Sequence, residues 1–80
     1  MDCLIITNES GISFQFNDLV RKGKILIKFE KSGMKSSYSF RNTDFMRLPA
    51  AFFNNKGNVE VKVFSGNAII KKKRITYQTK

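Results

Sequence analysis

Residues 45–79, FMRLPAAFFNNKGNVEVKVFSGNAIIKKKRITYQT, contain the clearest strand and the clearest hairpin signal of the sequence. Three valines in residues 59–63 alternate with Glu60 and Lys62, which is the period-two pattern of a strand with one buried face. Residues 65–67, SGN, are predicted to form a tight turn, because Gly and Asn tolerate the positive φ that a hairpin turn requires. The return strand begins at residues 68–70 and runs to Tyr77, so the sequence predicts a long β-hairpin.

Shorter stretches upstream show strand patterns as well. Apolar side chains alternate with polar ones along most of them, and β-branched residues are frequent. The predicted strands are residues 3–7, 12–16, 24–31 and 35–41. Residues 18–23 read as a connection with room for one helical turn. Lys31, Ser32 and Gly33 form the next reversal, which makes the third and fourth strands antiparallel.

One segment favours a helical turn. Leu48 precedes Pro49 and is biased towards an extended backbone, while Pro49 suits the first position of a helix. Residues 50–53, AAFF, continue the turn until residues 54–57, NNKG, end it. We therefore predict an all-β fold: a small antiparallel β-sandwich of six to seven strands, with one short helical turn near residues 49–53, in a single domain of residues 1–80.

The charge balance limits the class of partner. The chain has 15 Lys and Arg against 6 Asp and Glu, a net charge of +9, and residues 41–80 hold nine of these cations and two of the anions. A field of this sign attracts nucleic acid, anionic membranes and acidic protein surfaces alike. It is also compatible with a solvated face that has no ligand.

Catalytic chemistry is not predicted. The chain has no histidine, its carboxylates are scattered singly, and no serine lies in a Gly-x-Ser-x-Gly elbow. The single cysteine, Cys3, excludes an intramolecular disulfide and the Cys pairs of a zinc site, and its apolar neighbours predict a buried core residue rather than a reactive thiol. We expect no enzyme activity, cofactor or metal.

The N-terminal segment MDCLIITNES reads as neither a signal peptide nor a membrane span, because its acid stands at position 2 and its apolar run is short. We expect a protein of a reducing cytosol, or of a particle assembled there, and no membrane partner.

Four consecutive cations stand in the second arm of the hairpin. On a strand, Lys71 and Lys73 point to one face, and Lys72 and Arg74 to the other. Burying even one unpaired ammonium costs several kcal/mol, so this arm must be an edge, bulged out, or projecting from the sheet. The candidate binding surface is Lys62, Phe64, Lys71, Lys72, Lys73, Arg74 and Tyr77. The alternative is that edge lysines only discourage unwanted strand pairing.

Several motifs in order resemble the fibronectin-III-like or immunoglobulin-like modules of bacteriophage virion proteins, notably the N-terminal domain of tail baseplate proteins. They are LPAAFF (48–53), KGNVEVKVFSG (56–66) and RIT (74–76), preceded by KILIKFEKSG (24–33) and SSYSF (36–40). The likeness spans most of residues 12–79. Two features depart from the family: these 80 residues include no long fibre or coiled-coil segment, and the closing strand is rich in lysine.

This resemblance implies a structural and binding role without catalytic residues, and a location in the virion or in the host cytoplasm. We expect a non-enzymatic structural or adaptor subunit of a phage particle, in the tail baseplate or as a capsid decoration, which binds an acidic neighbouring virion protein through its basic edge. Homo-oligomerisation is a further expectation for so small a core. Two alternatives stay open: a small basic nucleic-acid-binding β-barrel, and a phage-encoded inhibitor of a host enzyme.

Overall fold

The computed structural model describes residues 1–8, 11–49 and 57–77, and these form one curled antiparallel sheet. Its strands are β1 (Cys3–Asn8), β2 (Gly11–Phe29), β3 (Lys35–Pro49), β4 (Gly57–Ser65) and β5 (Ala68–Tyr77). The all-β, antiparallel character predicted from the sequence is confirmed.

The long strand β2 organises the sheet. Its first half pairs with β1 and its second half with β4, and both of these neighbours lie on the same edge. Strand β3 pairs along the other edge of both halves. Strand β5 follows β4, so it ends the sheet on that side.

A bulge bends β2 in its middle. Gln15 pairs with Phe45 and Val20 with Thr43, so residues 16–19 of β2 lie opposite Asp44 alone. Extra residues on one strand of a pair bend that strand and increase its twist. On the partner strand, Asn42 adopts a positive φ of 52°, a conformation that Asn tolerates better than most residues. The bend turns the inner faces of the two halves towards each other.

The core lies between these two inner faces. Phe16 of the first half and Phe40 opposite the second half stack with ring centroids 5.4 Å apart. The buried residues form one cluster: Cys3, Ile5, Ile12, Phe14, Phe16, Val20, Ile25, Ile27, Phe40, Leu48, Val59, Val61, Val63 and Ile75. Both halves of the sheet therefore share a single core.

Gly23 makes the close packing at the second half possible. A Cβ atom at this position would lie 2.3 Å from Cζ of Phe40, well inside van der Waals contact. The Phe40 ring thus occupies the space that any other residue would need for its side chain. This contact holds β3 tightly against β2.

Two expectations from the sequence are not met by the described residues, and a third lies largely outside them. The connection predicted at residues 18–23 is wrong, because the bulge changes the direction of the chain without ending the strand. The sandwich of six to seven strands is not confirmed: the described residues give five strands, since the strands predicted at 12–16 and 24–31 are one. Pro49 is the last residue of β3, and residues 50–53 of the predicted helical turn lie outside the described residues.

Candidate functional site

The structure separates the predicted cations of the hairpin onto two sides of the sheet. Directly opposite residues of an antiparallel pair share a face. Lys72 pairs with Lys62 on the outer face, whereas Lys71 and Lys73 pair with Val63 and Val61 and so lie on the inner side. The edge position predicted for this arm is confirmed, because within the described ranges β5 has β4 as its only strand neighbour.

The other predicted site residues lie at different places in the hairpin. Arg74 is on the outer face, opposite Glu60. Phe64 is on the outer face too, as its position out of phase with the valines suggested, and it is half-buried. Tyr77 is the last residue of β5 and pairs with Gly57.

The outer face extends beyond the hairpin onto β2 and β3. Lys24 lies opposite Phe64, and Leu26 lies opposite Lys62. On the other edge of β2, Lys22 lies opposite Arg41. The cations on this side, here called the basic outer face, are Lys22, Lys24, Lys28, Lys35, Arg41, Lys62, Lys72 and Arg74.

Three pairs of like charges stand directly opposite each other on this face. They are Lys22 with Arg41, Lys28 with Lys35, and Lys62 with Lys72. The Cβ atoms of such a pair are about 4.5–5.5 Å apart, and like charges at this position destabilise the sheet. Folding alone therefore gives no reason for this arrangement.

Two carboxylates offset part of the charge. Glu60 Oε1 lies 3.6 Å from Lys62 Nζ. Glu30, just beyond the end of β2, accepts a hydrogen bond from the Arg74 guanidinium. In the described part of the chain, the eight cations of the face thus keep a clear excess over these two anions.

Aromatic side chains contribute little free surface to this face. The ammonium of Lys24 lies 5.1 Å from the centroid of the Phe64 ring, within the range of a cation–π contact. Tyr38 pairs with Ile25 on the inner side and packs against the core. Of these two described rings, Phe64 is thus half-buried beside a cation and Tyr38 is turned inward.

Cys3 is a core residue, as predicted. It is 1% exposed, and burial raises the pKa of its thiol from 9.0 to about 11, while the charge of Lys71 lowers it and that of Asp2 raises it. A thiol of this kind stays protonated at neutral pH, and only the thiolate is a strong nucleophile.

Residues 1–8, 11–49 and 57–77 provide neither a cluster of metal ligands nor a membrane-spanning helix. These residues bring no three metal-ligating side chains together. They also contain no helix of the length and hydropathy that a membrane span requires.

Sequence reasoning missed the cations of β2 and β3. Lys24 and Lys28 alternate with the buried Ile25 and Ile27, which is a signal for an outward face, but their approach to Lys62 and Lys72 depends on strand order. Arg41 and Lys35 join them only through the pairing of β3. The basic outer face therefore forms only when the strands pair in their folded order.

The chain matches no model of a known protein family, and its comparison with curated proteins finds no significant relative. The basic outer face is thus the feature of the structure that bears most directly on function.

Proposed function

We propose that this protein is a non-enzymatic docking subunit that binds the acidic surface of a neighbouring protein through the basic outer face. The resemblance to virion modules makes that neighbour another protein of a phage particle, in the tail baseplate or in the capsid shell. The same resemblance implies that the chain's sheet belongs to a two-layer β-sandwich of six to seven strands.

The three like-charge pairs across the strands carry this proposal. Each pair costs stability in the isolated chain, and the two carboxylates near the face lie at Lys62 and Arg74, away from Lys22 and Arg41. An acidic surface laid on the face would remove the repulsion and supply partners for the cations. Docking and stability are thereby coupled, which suits a small core that gains from assembly.

The covering of the aromatic rings favours protein over single-stranded nucleic acid. Binders of single strands combine cations with exposed rings on which bases stack. Here Phe64 is half-buried beneath Lys24, and Phe16 and Phe40 pack against each other inside the core. Among the side chains that the structure describes, the face therefore offers charge without an exposed ring for stacking.

Affinities for two polyanions of equal length test the proposal. We expect a fluorescent Glu-rich peptide to bind the chain with an affinity that falls with salt, and oligo(dT) to bind no more tightly. The variant Lys62→Gln/Lys72→Gln should lose about tenfold for the peptide, since each lost contact is worth on the order of 0.2–1 kcal/mol and the pair acts jointly with its neighbours.

The control removes two cations that lie off the basic outer face. The variant Lys31→Gln/Arg47→Gln loses the same number of charges. One is in the exposed turn after β2, and the other is in the part of β3 that pairs with the first half of β2. Equal losses in the two double variants would show that net charge alone attracts the peptide, and tighter binding of oligo(dT) with a steep salt dependence would favour the nucleic-acid alternative.

A further inference from the structure

One end of the basic outer face contains a groove of about 300 Å³. It lies between β3 and the β4–β5 turn, above the second half of β2. Its lining includes Lys22, Lys24, Ser39, Arg41, Gly66 and Asn67, and no carboxylate side chain of the described residues contributes to it.

The sheet pairing brings these side chains together. Lys22 is directly opposite Arg41, and Lys24 is directly opposite Ser39, so two cations of β2 and one of β3 project from the same side. The turn is fixed against β2, because the amide of Gly66 donates a hydrogen bond of 2.8 Å to the carbonyl oxygen of Lys22. The walls of the groove therefore rest on backbone hydrogen bonds.

The chemistry of the lining matches a phosphate group. The guanidinium of Arg41 has the planar fork that binds two oxygens of one phosphate, and the lysines add point charges. Ser39 and Asn67 add neutral donors. In the described part of the chain, neither Lys22 nor Arg41 is within ion-pair distance of a carboxylate.

Repulsion between Lys22 and Arg41 supplies a driving force. Two cations held opposite each other destabilise the strand pair, and a dianion between them converts that repulsion into two attractions. Lys28 and Lys35 form an equal pair on the same face, but their depression holds only about 90 Å³ and contains the carboxylate of Glu60. Of these two sites, the first has more room and a described lining without a carboxylate.

We propose that this groove binds a phosphate group, carried either by a small free phosphate compound or by a nucleic-acid backbone. The inference does not depend on the docking function, because the chain alone would bind the phosphate.

Titration of the isotope-labelled chain with pyrophosphate, and separately with a short oligo(dT), tests the proposal. We expect the largest amide shifts at Gly23, Ser39, Gly66 and Asn67. The variant Lys22→Gln/Arg41→Gln should weaken binding about tenfold or more, since charge-assisted hydrogen bonds are lost. The matched control Lys28→Gln/Lys35→Gln removes the other like-charge pair and should weaken binding less than about threefold.

Each outcome decides a separate question. Pyrophosphate binding at the groove assigns a small phosphate compound, and tighter oligo(dT) binding with the same variant pattern assigns a nucleic-acid backbone. Equal losses in the two double variants, or no shift at the groove with either probe, would overturn the proposal. Binding of the Glu-rich peptide in that case would still support the docking function. Binding of phosphate without binding of the peptide would instead support the phosphate site and contradict the docking function.

Discussion

The two halves of β2 share one core and differ in what they present to solvent. On the outer surface of the first half, Leu4 of β1 and Phe45 of β3 lie on either side of Gln15 of β2. These two side chains are 59% and 45% exposed. Outside the second half, the corresponding positions are occupied mainly by lysines, with Leu26 and Phe64 half-buried among them. The inner pattern of apolar side chains is common to both halves, so the fold does not require the difference. The cations of the second half are a property of the surface, which is why we assign binding there.

The largest expected effect comes from the aromatic contact between the two halves. Phe40→Ala removes a buried ring that stacks on Phe16 across the bend, and should lower the free energy of unfolding by about 3–5 kcal/mol. Phe45→Ala removes an equal ring that is 45% exposed on the first half, and should cost much less, about 1 kcal/mol or below. Urea unfolding of both variants measures the contrast, and equal losses would show that the halves do not share a core.

The next effect concerns the contact that holds β3 to the second half. Gly23→Ala places a Cβ atom where the Phe40 ring lies, so we expect a loss of about 1–3 kcal/mol from overpacking. The double variant Gly23→Ala/Phe40→Leu should recover part of this loss relative to the sum of its single variants. Additive losses in a double-mutant cycle would contradict the contact.

The pH dependence of the unfolding free energy should report the ionisation of Cys3, which lies in the core beside the first half of β2. The folded-state pKa of Cys3 is raised to about 11, above its ordinary value of 9.0, so the stability that depends on the neutral thiol is complete below pH 9 and is lost as the pH rises through 11. This change is on the order of 1 kcal/mol by pH 10.

Cys3→Ala should remove that contribution. We therefore expect the difference in unfolding free energy between wild type and variant to be constant up to pH 9 and to shrink above it. A difference that stays constant up to pH 11 would mean that the thiol ionises in the folded protein as readily as in the unfolded one.

The smallest effect tests the repulsion on the basic outer face. Lys35→Glu turns the pair with Lys28 from repulsive to attractive, and should stabilise the chain by about 0.5–1 kcal/mol at low salt. Lys31→Glu makes the same charge change in an exposed turn and should have a smaller effect. High salt should abolish the difference between the two variants, because exposed charges are screened.

The individual strands were predictable because alternation is a local signal. Val59–Val63 and Ile25–Ile27 were assigned correctly from it. The continuity of β2 was not predictable, since Asp18 and Gly23 are typical of a connection and the bulge that replaces it depends on pairing with β3.

The candidate site divides in the same way. The cations of β5 stand consecutively in the sequence and were identified there, whereas Lys22, Lys24, Lys28, Lys35 and Arg41 join them only through strand order and register. No local pattern contains that information, so most of the basic outer face required the structure.

The most direct measurement is a map of the amide chemical-shift changes caused by the Glu-rich peptide in the full chain. We expect changes along residues 22–28, 35–41, 62–64 and 72–74, with little change at residues 3–8 and 13–15. Changes centred on Leu4, Ile6 and Phe45 would place docking on the apolar side of the first half and contradict the assignment of function to the charged one.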